Sequence, residues 1–199
     1  MPQPCPRLEQ YTSVYIALGA NATSSLRSSF VTLSQSLDAL DSASVSITST
    51  SCFYVTPAFP AGSGPDFVNA VVNVATRLKP AELLPNLHSI EAEFGRVRAE
   101  RWGARTLDLD LLAFEDIVLP DLRTAQAWAG LPLDDQIEKT PDQLVLPHPR
   151  MAERAFVLVP FCDIARTWRH PITGKTAQAM LDALPQQSKD AIKPYTFGF

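Results

Sequence analysis

The sequence predicts an α+β fold, a ferredoxin-like split β-α-β arrangement with a mainly antiparallel sheet and helices packed on it. Three observations carry this expectation. Segments 12–18, 45–55, 67–78 and 106–114 read as strands, and segments 24–40 and 80–95 carry apolar residues at helical spacing. Their order, β-α-β-β-α-β, is that of two β-α-β halves sharing one sheet.

Each element follows from its residues. TSVYIAL (12–18) is an apolar run ended by Gly19-Ala20-Asn21. In 24–40, Leu26, Phe30, Leu33, Leu37 and Leu40 recur at helical spacing, with Ser24 as N-cap. VSITSTSCFYV (45–55) alternates and is rich in β-branched residues. The Pro- and Gly-rich TPAFPAGSGPD then separates it from the strand FVNAVVNVATRL (67–78). Helix 80–95 has Pro80 in its first turn and Leu83, Leu84, Leu87, Ile90 and Phe94 on one face. Residues 115–147, with Pro120, Pro132 and Pro141, form a long excursion holding a short helix around 122–129. Helices over 150–165 and 176–184 complete the chain, with 1–11 and 186–199 as tails of a single domain, 1–199.

A hydrophobic fraction of 46% and a charged fraction of 19% suit a globular protein, and the net charge of −4 weighs against a general nucleic-acid binder. Anion recognition must then be local: seven of the twelve arginines lie between positions 96 and 154. Cys5, Cys52 and Cys162 form no CxxC pattern and read as buried reduced thiols. The N-terminus lacks the pattern of a signal peptide, and no apolar run approaches the ~20 residues of a membrane span. A cytoplasmic protein without a membrane or nucleic-acid partner is the expectation.

GRVRAERWGARTLDLDLLAF (95–114) concentrates the chemistry. In a strand, residues i and i+2 share a face roughly 7 Å apart, so Asp108 and Asp110 project together while Leu107, Leu109 and Leu111 enter the core. Mg²⁺ prefers one or two carboxylates plus substrate phosphates, and such a pair can bridge two ions. A DxD alone is common and fits a solvated acidic face. Arg96, Arg98, Arg101 and Arg105 change the weighing, because guanidinium groups bind phosphate oxygens in pairs and stay charged. Acids that hold metal beside a basic loop are the two halves of a polyphosphate site. ITGKT (172–176) lacks the first glycine of a phosphate loop, Arg169 standing in its place, and reads as a turn.

Five ordered blocks between about 12 and 170 carry a resemblance: YIALGAN, TPAFPAGSGPDFVNAVV, IEAEFGRVR, RWGARTLDLDLL and LPHPRMAERAFVLVPFCDIA. Together they resemble the 6-hydroxymethyl-7,8-dihydropterin pyrophosphokinases of folate biosynthesis. The resemblance implies transfer of the β,γ-diphosphate of ATP, as co-substrate, to the pterin hydroxymethyl group, with AMP released. It implies that Asp108 and Asp110 hold two Mg²⁺ ions. Arg96 and Arg105 are implied as catalytic with that pair, and Arg98, Arg101, Trp102, Leu111 (through its backbone), His148 and Arg154 as ATP-binding. For the pterin it implies stacking by Phe67 and Phe156, edge reading by Asn69, and contacts from Thr56, Pro57 and Phe59. An amide offers donor and acceptor together, as a pterin edge does; without the resemblance, both phenylalanines would pass for core.

The arginine segment is about one residue shorter than in bacterial relatives, so the pairing of arginine with phosphate stays open. Glu91 matches a family glutamate and reads either as orienting an arginine or as a helix-surface acid. His88 and His170 read as structural. A monomer is expected, with association with other folate enzymes left open. An RNA-binding module of the same element order would leave the two aspartates unexplained, and a DxD glycosyltransferase would need a βαβ series that 199 residues of this pattern lack.

Overall fold

The computed structural model describes residues 11–21, 25–58, 64–95, 106–132, 135 and 139–196. The first strand, β1 (Thr12–Ala20), leads into helix α1 (Leu26–Leu40), whose N-cap is Ser25. Ser25 Oγ accepts from Ser28 N–H at 3.2 Å, one residue later than expected; adjacent serines are equivalent cap candidates in sequence, and Ser24 lies outside the described residues.

The single strand expected over 45–55 is two, β2 (Val45–Thr50) and β3 (Tyr54–Thr56). Between them Ser51 Oγ takes the N–H of Val71 at 2.9 Å, so a side chain replaces a ladder acceptor and the strand is interrupted. Next come β4 (Phe67–Thr76), α2 (Pro80–Glu93), β5 (Asp108–Phe114) and α3 (Leu122–Ala129). A 3-10 turn (Met151–Glu153) precedes α4 (Ala155–Ala165), α5 (Ala177–Asp182), α6 (Gln186–Asp190) and β6 (Lys193–Pro194).

The sheet order is β5-β1-β4-β3-β6, with β2 also on β4, and every pairing is antiparallel. This is the expected split arrangement, because β4 lies between β1 and the β2–β3 segment. Helices cover both faces. Val14, Ile16, Leu18 and Ala20 of β1 pack with Leu33 and Leu40 of α1, Leu83, Leu87 and Ile90 of α2, and Leu107, Leu109 and Leu111. The alternate face joins Tyr15, Ala17 and Val71 to Val157, Leu158 and Phe161 of α4. Alternation along β1 therefore builds two cores from one strand.

Two departures touch the ends of elements. Residues 186–196, expected as tail, form α6 and β6, and Tyr195 stacks on Phe30 at 4.9 Å and 7° while its N–H donates to Phe53 O at 2.8 Å. The excursion is closed at its base, where Leu119 and Leu146 exchange backbone bonds of 2.9 and 3.1 Å. Among the thiols, Cys162 is buried but Cys52 is exposed, contrary to expectation; Cys5 lies outside the described residues. ITGKT is the turn expected, closed by the Arg169–Thr176 bridge with Gly174 at φ 68°.

Candidate active site

Antiparallel register brings distant residues into one row. Asp108 of β5 lies opposite Gly19 of β1, Gly19 opposite Asn69 of β4, and Asn69 opposite Tyr54 of β3. One pleat along, Asp110 faces Ala17, which faces Val71. With a side-chain period of two, both aspartates share a face with Gly19, Asn69 and Phe67. The acids stand at one side of the row and the amide at the other, and only small residues lie between them.

Gly19 is required there. A Cβ at this position would lie 2.8 Å from Asn69 Oδ1 and 3.8 Å from Phe67 Cδ1. The amide thus lies over the glycine, steadied by a 2.7 Å bond from its Nδ2 to Thr56 Oγ1; Asn69 is 8% exposed and Thr56 2%. One bond uses a single donor, leaving the other N–H and the oxygen lone pairs for a ligand edge.

A bulge sets the other wall. Between Tyr15 and Ile16 the β1–β5 register slips, so Leu112 is an extra residue on β5. Its carbonyl accepts from His148 N–H at 2.7 Å, which fixes the start of the segment leading to α4. The N–H of Arg150 donates to His148 Nδ1 at 3.1 Å, so the neutral ring carries its proton on Nε2 as a donor. Burial, then the charges of Arg154 and Arg150, push His148 down to about 3, with Asp108 opposing. Arg154 is likewise lowered by burial and supported by Asp110 and Asp108. These couplings bring His148, Arg154, Asp108 and Asp110 into one electrostatic neighbourhood. Arg154 Cζ also stands 5.5 Å from the centre of the Phe156 ring at the start of α4.

The remaining expected residues divide plainly. The side chain of Leu111 is in the core, so only its backbone is available, as expected. Phe67 and Phe156 are half-buried, and Pro57 is exposed beside buried Thr56. Phe59, Arg96, Arg98, Arg101, Trp102 and Arg105 lie outside the described residues. His170 is structural, 7% exposed, its Nδ1 accepting from Ile172 N–H at 3.2 Å.

Two features escaped the sequence. Glu91 is 1% exposed, not a surface acid, and its Oε1 accepts from the Leu109 N–H at 2.8 Å. Arg150 has a side chain only 17% exposed, with Nε 3.5 Å from Glu153. Its position four residues before Arg154, in the quoted LPHPR block, was the available signal.

Among the described residues no group of three or more His, Cys, Asp or Glu could hold a metal ion. The donor set is a pair of carboxylates, each half-exposed, over a sheet face kept open by Gly19. That set fits Mg²⁺, which takes one or two carboxylates and completes its shell with phosphate and water. It does not resemble an all-protein cage.

An antiparallel sheet with helices on both faces, bearing an acid pair and an amide across one open row, defines an α+β domain with one candidate ligand site. Residues 15–166 match the model of the 7,8-dihydro-6-hydroxymethylpterin-pyrophosphokinase (HPPK) family, and the chain belongs to that family. The chain is 40% identical over 118 residues to the 2-amino-4-hydroxy-6-hydroxymethyldihydropteridine pyrophosphokinase of Synechocystis, covering 59% of this chain and 50% of that one. The enzyme of the same name from Haemophilus influenzae is 35% identical, with 77% and 81% covered. The Pseudomonas aeruginosa enzyme is also 35% identical, with 86% and 91% covered. In structure, the HPPK-DHPS of Plasmodium falciparum aligns at a TM-score of 0.64 and 14% identity over 89% of this chain and 46% of that one, which supports the fold. The chain thus spans about half the length of some relatives and most of others. No helix among the described residues is long and apolar enough to cross a membrane.

Proposed function

We propose that this chain transfers the terminal diphosphate of ATP to the hydroxymethyl group of 6-hydroxymethyl-7,8-dihydropterin, giving the pterin diphosphate and AMP. The observation that supports the proposal is the row Asp108–Gly19–Asn69, which with Asp110 one pleat along leaves two carboxylates and an amide across one sheet face. The pterin oxygen attacks the β-phosphorus in line. The new O–P bond forms as the bond from that phosphorus to the α,β-bridging oxygen breaks, AMP leaves with that oxygen, and the hydroxyl proton passes to solvent.

Asp108 and Asp110 would hold two Mg²⁺ ions, which when bound neutralise the triphosphate and polarise the phosphorus under attack. His148 donates Nε2–H and Arg154 its guanidinium to phosphate oxygens; a neutral donor there avoids placing a third full charge beside Arg150 and Arg154. Arg96, Arg98, Arg101 and Arg105 approach the triphosphate from the opposite side, with Trp102 closing over it. Asn69 reads the pterin edge, backbone groups of Thr56, with Pro57 and Phe59, complete it, and Phe67 and Phe156 stack on its faces. In this reading the whole chain works as one unit, a cytoplasmic monomer free to associate with other folate enzymes.

The test is incubation with ATP, Mg²⁺ and the hydroxymethyl-dihydropterin. AMP should form in step with pterin diphosphate, and release of ADP instead would make the transfer chemistry wrong. Asp108→Ala or Asp110→Ala should abolish turnover while the circular dichroism spectrum stays that of the parent. Arg105→Ala should lower turnover by roughly 10²–10³-fold, the usual cost of one transition-state donor.

A further inference from the structure

Carboxylates are rarely buried, because removing their charge from water is costly unless something specific compensates. Glu91 is buried nonetheless, at 1% exposure, on the last turn of α2. Its Oε1 accepts from the backbone N–H of Leu109 at 2.8 Å, and Leu109 stands between Asp108 and Asp110.

The strand's place in the sheet gives this bond its consequence. Among the described residues β5 is the terminal strand of the sheet, paired with β1 along one edge. Leu109 faces Leu18 across that edge, yet its N–H turns the other way, to the outer edge. An unpaired edge strand is free to twist, and twisting would swing the carboxylates on its two flanking residues relative to each other. Glu91 supplies the missing acceptor at this point.

We propose that Glu91 is a positioning residue for the acid pair. Its carboxylate fixes the β5 backbone between Asp108 and Asp110, and so sets the aim of both carboxylates toward the metal they would hold. The same bond joins residues 91 and 109, which lie on either side of the arginine segment in the sequence. This role rests on the reading of Asp108 and Asp110 as metal ligands. The group that Glu91 holds through this bond is a backbone amide of the strand that carries the acid pair.

Two substitutions separate length from charge. Glu91→Gln keeps an oxygen at the same reach but loses the charge; Glu91→Asp keeps the charge but is one methylene too short. Mn²⁺ would be titrated by electron paramagnetic resonance with a non-hydrolysable ATP analogue bound, and hydrogen exchange followed at the Leu109 amide. Circular dichroism melts verify that each variant is folded. Glu91→Gln should hold Mn²⁺ within about threefold of the parent and keep Leu109 protected. Glu91→Asp should lose about 10–100-fold in Mn²⁺ affinity, the range typical of groups that orient metal ligands. Its kcat should fall, with the KM for pterin unchanged, and Leu109 should exchange faster. The reverse ranking, Asp retained and Gln impaired, would make the role one of charge and overturn the proposal. Parental Mn²⁺ affinity in a folded Glu91→Asp would overturn it as well. Should Glu91→Asp not fold, a tenfold loss in folded Glu91→Gln suffices to refute it. A parent protein that binds no Mn²⁺ with the nucleotide would instead remove the metal reading of Asp108 and Asp110, on which this one stands.

Discussion

A methyl group at position 19 would stand 2.8 Å from Asn69 Oδ1, a separation that real Cβ atoms do not adopt, so the amide would have to leave its place over the strand. Its bond to Thr56 Oγ1, 2.7 Å long, would go with it. Gly19→Ala is therefore expected to weaken pterin binding by at least about tenfold, the cost of one or two lost polar contacts. Nucleotide binding should be largely spared, and calorimetric titration with each substrate checks both halves. His148 gives a second consequence at this scale. Its folded pKa, about 3 against an ordinary 6.5, means that between those values the unfolded chain takes up a proton that the folded one refuses. Stability is fully present above about pH 6.5 and declines as pH falls through that window. His170, lowered by burial, acts in the same direction. Urea unfolding of His148→Gln at pH 7 and pH 5 should show a smaller loss than the parent; an identical loss would mean that His148 does not carry the dependence.

Among the elements, those with strong periodicity were legible and those decided by a single side chain were not. The leucines of α1 and α2 and the apolar run of β1 announced themselves. The break between β2 and β3 did not, because Ser51 looks like any strand serine until its hydroxyl is seen taking the Val71 amide. Likewise α6 and β6 are too short, at five and two residues, to carry a period. They are secured instead by Tyr195, stacked on Phe30 and bonded through its backbone to Phe53. Tyr195→Ala should cost about 1 kcal/mol in urea unfolding, the scale of one aromatic pair. It should also release β6 from the outer edge of β3, seen as faster hydrogen exchange there.

For the molecule as a whole, the cores on the two sheet faces share β1, β4 and β5, and the candidate site opens at one end of the face that α4 covers. Any ligand gripping the row across those strands should therefore stabilise both cores at once. Nucleotide analogue plus Mg²⁺ at about 100 times the Kd should add about 2.7 kcal/mol to stability. Asp108→Ala should lose the part of this gain that needs the metal, as thermal melts with and without Mg²⁺ will tell. The overall arrangement and the chemical types in the site were readable because strand order and residue identity are written in the chain. What was not readable were partners consisting of backbone: the Leu109 amide that receives Glu91, the Leu112 carbonyl that receives His148, and the bulge that turns it. Such groups are the same in every residue and leave no mark in a sequence.

Asp163, near the end of α4, accepts from Cys52 N–H at 3.1 Å and from the Tyr54 hydroxyl at 2.9 Å. The helix whose first turn carries Phe156 is thereby tied to the strand that ends at Thr56. Thr56 lies opposite Phe67 in the β3–β4 ladder, so in the proposed slot the tie links the sides carrying the two stacking rings, Phe156 and Phe67, before any guest arrives. A flat ring of the right thickness would meet a mould already cast, with little ordering left to oppose its entry. Thicker, puckered rings would have to break the tie to get in.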